Sequence, residues 1–261
     1  MTAATQPALG SLLRDWRRRR RLSQLDLALE AGVSARHLSF LETGRSKPSR
    51  EMVLLLSEEL DVPLRDRNRM LLAAGFAPAY EEHPIDAPEM GPVRAALDQV
   101  LAGHEPYPAL VVDRRWNMVA ANRSIALFLE DVAPELLEPP VNVLRLSLHP
   151  NGLAARVLNL AEVRSHLLGR LRRQVALTAD DQLERLYEEV AGYGPEHDEH
   201  DAATEGAIVV PVRLRTSAGE LAFFSTIATF GTAVDITVAE LAIEAFFPAD
   251  DATTEALRRG V

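Results

Sequence analysis

The sequence contains no cysteine, which excludes disulfide bonds, zinc sites with cysteine ligands and thiol catalysis. It also lacks an apolar run that approaches the roughly 18 residues of a membrane-spanning helix. Its N-terminus has no apolar core of the kind found in signal peptides. Lysine is nearly absent, since Lys47 stands alone among 28 basic residues. Together these absences favour a cytoplasmic protein.

Charge is distributed unevenly along the 261 residues. Residues 1–76 carry 13 Arg and Lys against 9 Asp and Glu, a net charge of +4, whereas residues 77–261 carry 15 against 29, a net charge of −14. The length predicts about two domains. A basic first part joined to an acidic remainder predicts that the first part contacts a polyanion.

Residues 1–76 are predicted to form one all-α domain of five helices. Ser23 and Ser34 are typical residues to cap the start of a helix, and Gly32 and Gly44 are typical residues to end one. The predicted helices are Leu9–Arg21, Gln24–Ala31, Ala35–Thr43, Arg50–Leu60 and Leu64–Ala74.

Residues 77–91 contain prolines and charges of both signs, which is typical of a linker. Residues 92–261 are predicted to form an α+β domain, with an antiparallel sheet and helices on one face. The segment Ile236–Phe247 fits the spacing of either a strand or a helix. The predicted strands are Pro108–Asp113, Trp116–Ala121, Ile208–Arg215 and Leu221–Phe230.

The stretch Ser23–Gly44 has the pattern of a helix-turn-helix. Ala28 is small where two helices must cross closely, and Gly32 permits the tight turn between them. The outward face of the third helix carries Arg36, a side chain that can bind guanine in the major groove. The apolar residues predicted to fill the shared core are Leu27, Val33, Leu38 and Leu41.

Over about residues 9–74 the sequence resembles the lambda-repressor-like, Xre-type helix-turn-helix family. The resemblance implies sequence-specific binding of double-stranded DNA and an ion pair between Glu42 and Arg17. Ala35 and Phe40 stand where this family often has amide side chains, which makes Arg36 the strongest candidate to bind a base. The candidate DNA-binding residues are Gln24, Ser34, Ala35, Arg36, Ser39, Phe40, Thr43, Arg45 and Lys47.

From about Pro92 to Thr254 the sequence resembles the ligand-binding domain of MmyB-like regulators, a PAS-like domain. The segments that carry this resemblance are Tyr107–Asp113, Arg115–Asn117, Ala120–Asn122, Leu148–Pro150 and Phe246–Asp250. It implies a pocket between sheet and helices that holds an apolar ligand such as a fatty acid. The candidate wall residues are Trp116, Phe128, Leu144, Leu167, Leu171, Phe223 and Ile227, and the candidates to hold a carboxylate head are Arg145, Arg164 and His149.

No constellation of residues predicts catalysis, since the phosphate-binding and nucleophile-elbow motifs are absent. His197–Asp201 is expected to be a solvated acidic loop, and no metal or cofactor is predicted. The sequence therefore predicts a transcription regulator, acting as a homodimer on a two-fold operator. Two alternatives are a C-terminal domain that only dimerises or recruits a protein, and an enzyme fused to a DNA-binding domain.

Overall fold

The computed structural model describes residues 8–194, 210–217 and 219–259. The chain forms two compact units, one made of Met1–Pro84 with Thr232–Ala239 and the other of Ile85–Gly231 with Glu240–Val261. The predicted loop at His197–Asp201 and the first two residues of the predicted strand at 208–215 lie outside the described residues. None of the described helices is long and apolar enough to cross a membrane.

Serine side chains begin three of the five helices that residues 9–73 of the N-terminal unit form. The hydroxyls of Ser23, Ser34 and Ser49 each accept a hydrogen bond from a backbone N–H three residues further on, which satisfies a donor that the first helical turn leaves free. Gly32 and Gly44 have φ values of +64° and +71°, which glycine adopts without steric cost. The helices are α1 (Leu9–Arg19), α2 (Gln24–Glu30), α3 (Ala35–Glu42), α4 (Arg50–Glu59) and α5 (Leu64–Ala73).

Helix α1 approaches α3 so closely that their contact depends on a glycine. A Cβ atom on Gly10 would stand 2.5 Å from the carbonyl oxygen of Glu42 and 2.8 Å from that of Leu41. Side chains from all five of these helices, α1 to α5, form the apolar core of the unit. Its most deeply buried members include Leu13, Leu27, Leu38, Leu41, Leu56, Leu60, Met70 and Leu71.

The N-terminal unit also contains Thr232–Ala239, which lies far from the rest of the unit in sequence. The Asp235 carboxylate accepts a hydrogen bond of 3.2 Å from the backbone N–H of His83, and the same oxygen lies 2.8 Å from Nδ1 of the His83 ring. The Thr237 hydroxyl donates to the carbonyl oxygen of His83 at 2.7 Å. Part of the segment that was predicted as a linker, 77–91, is therefore held in place by hydrogen bonds.

The C-terminal unit contains a five-stranded sheet in which every pair of neighbours is antiparallel. The strands are β1 (Ala109–Val112), β2 (Met118–Ala121), β3 (Val212–Thr216), β4 (Gly219–Thr229) and β5 (Ala242–Pro248), in the order β2-β1-β5-β4-β3. The helices of the unit include α6 (Gly91–Gly103), α7 (Ala126–Leu129), α8 (Val143–Leu148), α9 (Leu160–Thr178) and α10 (Asp181–Ala191). Two further helices are α11 (Ile236–Ala239), which belongs to the N-terminal unit, and α12 (Asp251–Arg259). The ambiguous segment Ile236–Phe247 thus contains a short helix followed by a strand.

Strand β1 is buried on both of its sides, so it lacks the alternation of a half-exposed strand. Leu110 and Val112 belong to the larger core, to which α8, α9 and α10 contribute. Ala109 and Val111 pack instead with Leu97 of α6. The expectation that helices cover one face of the sheet alone is therefore wrong, because α6 covers the second face.

We predict that Gly10→Ala destabilises the N-terminal unit by about 1–3 kcal/mol, because the new methyl group collides with backbone atoms of α3 that cannot rotate away. Gly169→Ala in α9 is the matched control, since its Cβ would only make an ordinary contact of 3.6 Å with the end of the Arg173 side chain. The free energy of unfolding of that control is expected to rise by about 0.5–1 kcal/mol, because Ala is more stable than Gly inside a helix. Urea denaturation gives the change in unfolding free energy for both variants. A gain in stability for Gly10→Ala would contradict the close approach of α1 to α3.

Candidate DNA-binding surface and ligand cavity

A buried ion pair connects the first and third helices of the N-terminal unit. Arg17 of α1 donates two hydrogen bonds to the Glu42 carboxylate of α3, from Nε to Oε1 at 2.6 Å and from the terminal nitrogen to Oε2 at 3.0 Å. The Arg17 guanidinium also donates to the carbonyl oxygen of Leu22 at 2.8 Å. The predicted pairing of Arg17 with Glu42 is confirmed, and its two-point geometry fixes the orientation of one helix on the other.

Two further side chains complete the environment of Glu42. Gln24, at the start of α2, donates from its amide nitrogen to Oε2 at 2.8 Å, and Arg14 donates to the Glu42 carbonyl oxygen at 3.0 Å. Burial by itself raises the pKa of the Glu42 carboxyl, but the bonds from Arg17 and Gln24 outweigh it and lower the pKa below its usual value. The Gln24 amide nitrogen is thus hydrogen-bonded to a residue of its own unit.

The exposed side of α3 carries the residues that were predicted to meet DNA. Arg36 is exposed, and its guanidinium carbon lies 5.3 Å from the centre of the Phe40 ring. Ser39 is half-buried, while the Thr43 hydroxyl donates to the carbonyl oxygen of Ser39 at 2.7 Å. Arg36 is therefore the one candidate on this helix with a long charged side chain, and its guanidinium group lies near the Phe40 ring.

The other candidates of the DNA-binding set have different surroundings. The Ser34 hydroxyl caps α3, and Ala35 packs partly against the core. Arg45 and Lys47 are exposed in the turn that follows α3. Cations at such positions can reach a phosphate backbone without carrying sequence information.

An apolar cavity lies within the C-terminal unit, between the sheet and helices α7 to α9. Its volume is about 100 Å³, several times the roughly 10–15 Å³ that one water molecule needs on the same scale. A space of this size is more than a packing defect, and apolar walls of this kind suit a small apolar molecule. The wall includes Leu110, Met118 and Phe246 from the sheet and Leu146 and Val163 from the helices.

The structure divides the predicted wall residues into two groups. Four of them line the cavity, namely Trp116, Phe128, Leu144 and Leu167. Leu171 and Phe223 are fully buried in the surrounding core, outside the lining, and Phe223 packs edge-on against the ring of Phe128. Ile227 is 46% exposed and is also outside the lining.

One end of the cavity is polar. The Arg170 guanidinium of α9 lies 3.6 Å from Oε2 of Glu244 on β5 and 4.2 Å from the centre of the Trp116 ring. The Ser225 hydroxyl donates to Oε1 of Glu244 at 2.9 Å. Burial lowers the pKa of Arg170, and the neighbouring Glu244 opposes that shift. This end can therefore hydrogen-bond a polar head group while the rest of the cavity accepts an apolar chain.

His166, one helical turn before Arg170, also faces this end of the cavity. Desolvation and the positive charges of Arg170 and Arg173 lower the pKa of the His166 ring, so the imidazole is neutral at about pH 7. None of these polar residues was predicted from the sequence. The available signal was Glu244, a charged residue inside an otherwise apolar strand.

The three residues predicted to hold a carboxylate head lie elsewhere. Arg145 pairs with Glu189 at 2.7 Å. Arg164 donates hydrogen bonds to the carbonyl oxygens that end α10, and the His149 ring packs edge-on against Tyr193. None of the three lines the cavity.

Trp116 reaches the cavity from a turn with unusual backbone geometry. Its φ is +67°, a region that costs a non-glycine residue about 1–3 kcal/mol. The Asp113 carboxylate holds the turn by accepting bonds from the backbone N–H groups of Arg115 and Asn117 at 2.7 and 2.9 Å. The Trp116 indole N–H donates to the Gln174 amide oxygen of α9 at 2.8 Å, so both the backbone and the ring of this wall residue are fixed.

The part of the chain that the structure describes holds no group of three or more His, Asp or Glu side chains that could bind a metal ion. The predicted solvated loop at His197–Asp201 lies outside that part.

Two family models match the chain. The model described as the MmyB-like transcription regulator ligand binding domain matches residues 93–259, and the model described as helix-turn-helix matches residues 13–66. No curated protein matches the sequence. A solved structure titled as an RNA-binding Light-Oxygen-Voltage Receptor aligns over 97% of this chain with 14% identity and a TM-score of 0.25, and the chain spans 62% of its length.

We predict that Glu42→Gln destabilises the N-terminal unit by about 3–5 kcal/mol at neutral pH, because Arg17 is left without its charged partner. A lowered pKa in the folded state means that Glu42 stabilises the fold above about pH 4.5 and that this contribution is lost as the pH falls through the lowered value. The variant should therefore lose less stability than the wild type between neutral and acidic pH.

Thermal unfolding as a function of pH measures this difference. Glu59→Gln, which changes an exposed carboxylate of the same unit, is the control and should behave as the wild type. If the stability of the Glu42 variant and that of the wild type fall equally as the pH is lowered, the lowered pKa of Glu42 is contradicted.

Proposed function

This chain belongs to the MmyB-like transcription regulators, and we propose that a small apolar molecule, such as a fatty acid, controls how it binds DNA. The observation that carries the proposal is a largely apolar cavity with a polar end in a chain that also contains a helix-turn-helix. A regulator of this kind must act where DNA is accessible, which agrees with the cytoplasmic location expected from the sequence.

Helix α3 is proposed to enter the major groove. Arg36 is exposed on it and can donate two parallel hydrogen bonds to guanine. Arg45 and Lys47 are proposed to contact phosphates next to the groove. Gln24, whose amide is bound to Glu42, is proposed to support the helix pair.

The regulator is proposed to act as a homodimer on a two-fold operator. One recognition helix covers only a few base pairs, and two copies related by a two-fold axis double the length of the site. Two half-sites separated by about one helical turn of DNA, roughly 34–36 Å, would be the expected arrangement.

The C-terminal domain is proposed to be a PAS-like sensor. The strand order β2-β1-β5-β4-β3 and the cavity between sheet and helices support this proposal. Trp116, Phe128, Leu144 and Leu167 are the proposed wall residues. A ligand can change DNA binding only if its affinity differs between the two states of the regulator.

Arg36→Ala is expected to weaken binding to the operator by about 1–3 kcal/mol and to leave binding to unrelated DNA nearly unchanged, since the side chain is proposed to bind a base. Lys47→Ala is the comparison, because loss of a phosphate contact weakens binding to every sequence and lowers the salt dependence. Fluorescence anisotropy with operator and scrambled DNA separates the two. If Arg36→Ala loses the same affinity for operator DNA and for scrambled DNA, Arg36 contacts the phosphate backbone and not a base.

Leu167→Trp is expected to fill the cavity and to weaken binding of an apolar ligand at least about tenfold, while the ligand-free protein binds the operator as before. Leu177→Trp on the same helix is the matched control, because Leu177 is 46% exposed and outside the lining. Calorimetry with dodecanol and dodecanoate gives the ligand affinity, and anisotropy gives the response on DNA. If neither compound binds the wild type, the sensor proposal fails and the helix-turn-helix assignment is unaffected.

A further inference from the structure

The polar end of the cavity contains a carboxylate as well as a guanidinium. Glu244 lies within β5, and only 9% of the residue is exposed. It lies on the strand between Ala242 and Phe246, which point to the same face because side chains alternate along a strand. A buried carboxylate on an inner sheet face is costly unless it is paired, so its presence limits what can bind beside it.

Opposite charges balance among the residues that line this end of the cavity. Arg170 and Glu244 carry one charge each, their closest atoms are 3.6 Å apart, and the lowered pKa of His166 keeps its ring neutral at about pH 7. Arg173 adds a positive charge that acts on both His166 and Arg170, but its side chain is exposed and outside the lining, so water screens it. The cavity therefore offers no unbalanced positive charge among its lining residues in the described part of the chain.

An ionised carboxylate on the ligand would have to share Arg170 with Glu244. It would bring a second negative charge close to a partly buried first one, and like charges at such distances repel strongly where water is scarce. An uncharged head avoids this repulsion. A carboxylate has about four acceptor sites, and Glu244 receives one hydrogen bond from Ser225, so it can accept another from a ligand.

We propose that the ligand carries an uncharged polar head with a hydrogen-bond donor for Glu244 and an acceptor for Arg170. A hydroxyl or a primary amide at the end of an apolar chain has this chemistry. Glu244 is then the residue that selects the head group, and the apolar wall selects the chain. This inference depends on the proposed ligand-binding function, and it replaces the fatty acid named there with an uncharged relative such as a fatty alcohol or a fatty amide.

Three probes with the same chain and different heads test the selection: dodecanol, dodecanamide and dodecanoate. The full-length wild type is titrated with each by calorimetry at about pH 8, where a carboxylic acid is ionised. Dodecanol and dodecanamide are expected to bind at least about tenfold more tightly than dodecanoate. Tighter binding of dodecanoate would overturn the proposal and leave the sensor function standing, whereas no binding of any probe would overturn both.

Glu244→Gln removes the negative charge and keeps the shape of the side chain. It is expected to tighten dodecanoate binding about tenfold and to change dodecanol binding by less than about threefold, because only the charged head is repelled by Glu244. Glu189→Gln is the control, since Glu189 pairs with Arg145 outside the lining, and it should leave all three affinities unchanged. An unchanged dodecanoate affinity in Glu244→Gln overturns the proposal. If that variant does not fold, the wild-type ranking of the three probes decides the question.

Discussion

The buried pair of Arg17 and Glu42 is the interaction on which the DNA-binding unit depends. It joins α1 to α3, and Gln24 brings the start of α2 into the same network. Because both charges are removed from water, loss of either partner leaves the other uncompensated. The close approach at Gly10 lies next to the same Glu42 backbone, so one charged contact and one steric contact both hold α3 against α1.

Local signals in the sequence were sufficient to predict the helices of this unit. Ser23 and Ser34 act as caps, and Gly32 and Gly44 have positive φ, which are properties of single residues and their nearest neighbours. Gly10 gave no such signal. Its importance comes from a carbonyl group more than thirty residues further along the chain, and only the packed structure brings the two together.

The polar end of the cavity was harder to predict for a related reason. A charged residue in an alternating strand is expected on the solvent side, yet Glu244 is buried and lies 3.6 Å from Arg170 of α9. Helix α9 contains several arginines, and its sequence does not distinguish Arg170 from the others. Trp116, Phe128, Leu144 and Leu167 were easier to find, because large apolar residues near a sheet form either the core or a cavity wall.

The segment Thr232–Ala239 has a consequence for how this architecture can be inherited. It lies between β4 and β5 in sequence but belongs to the N-terminal unit, where Asp235 and Thr237 bind His83. A recombination event with a single crossover after Pro84 would therefore transfer only part of the N-terminal unit. It would leave out the eight residues Thr232–Ala239. Exchange of either half with another regulator requires matching changes at two places in the gene, so the two halves are expected to be inherited together.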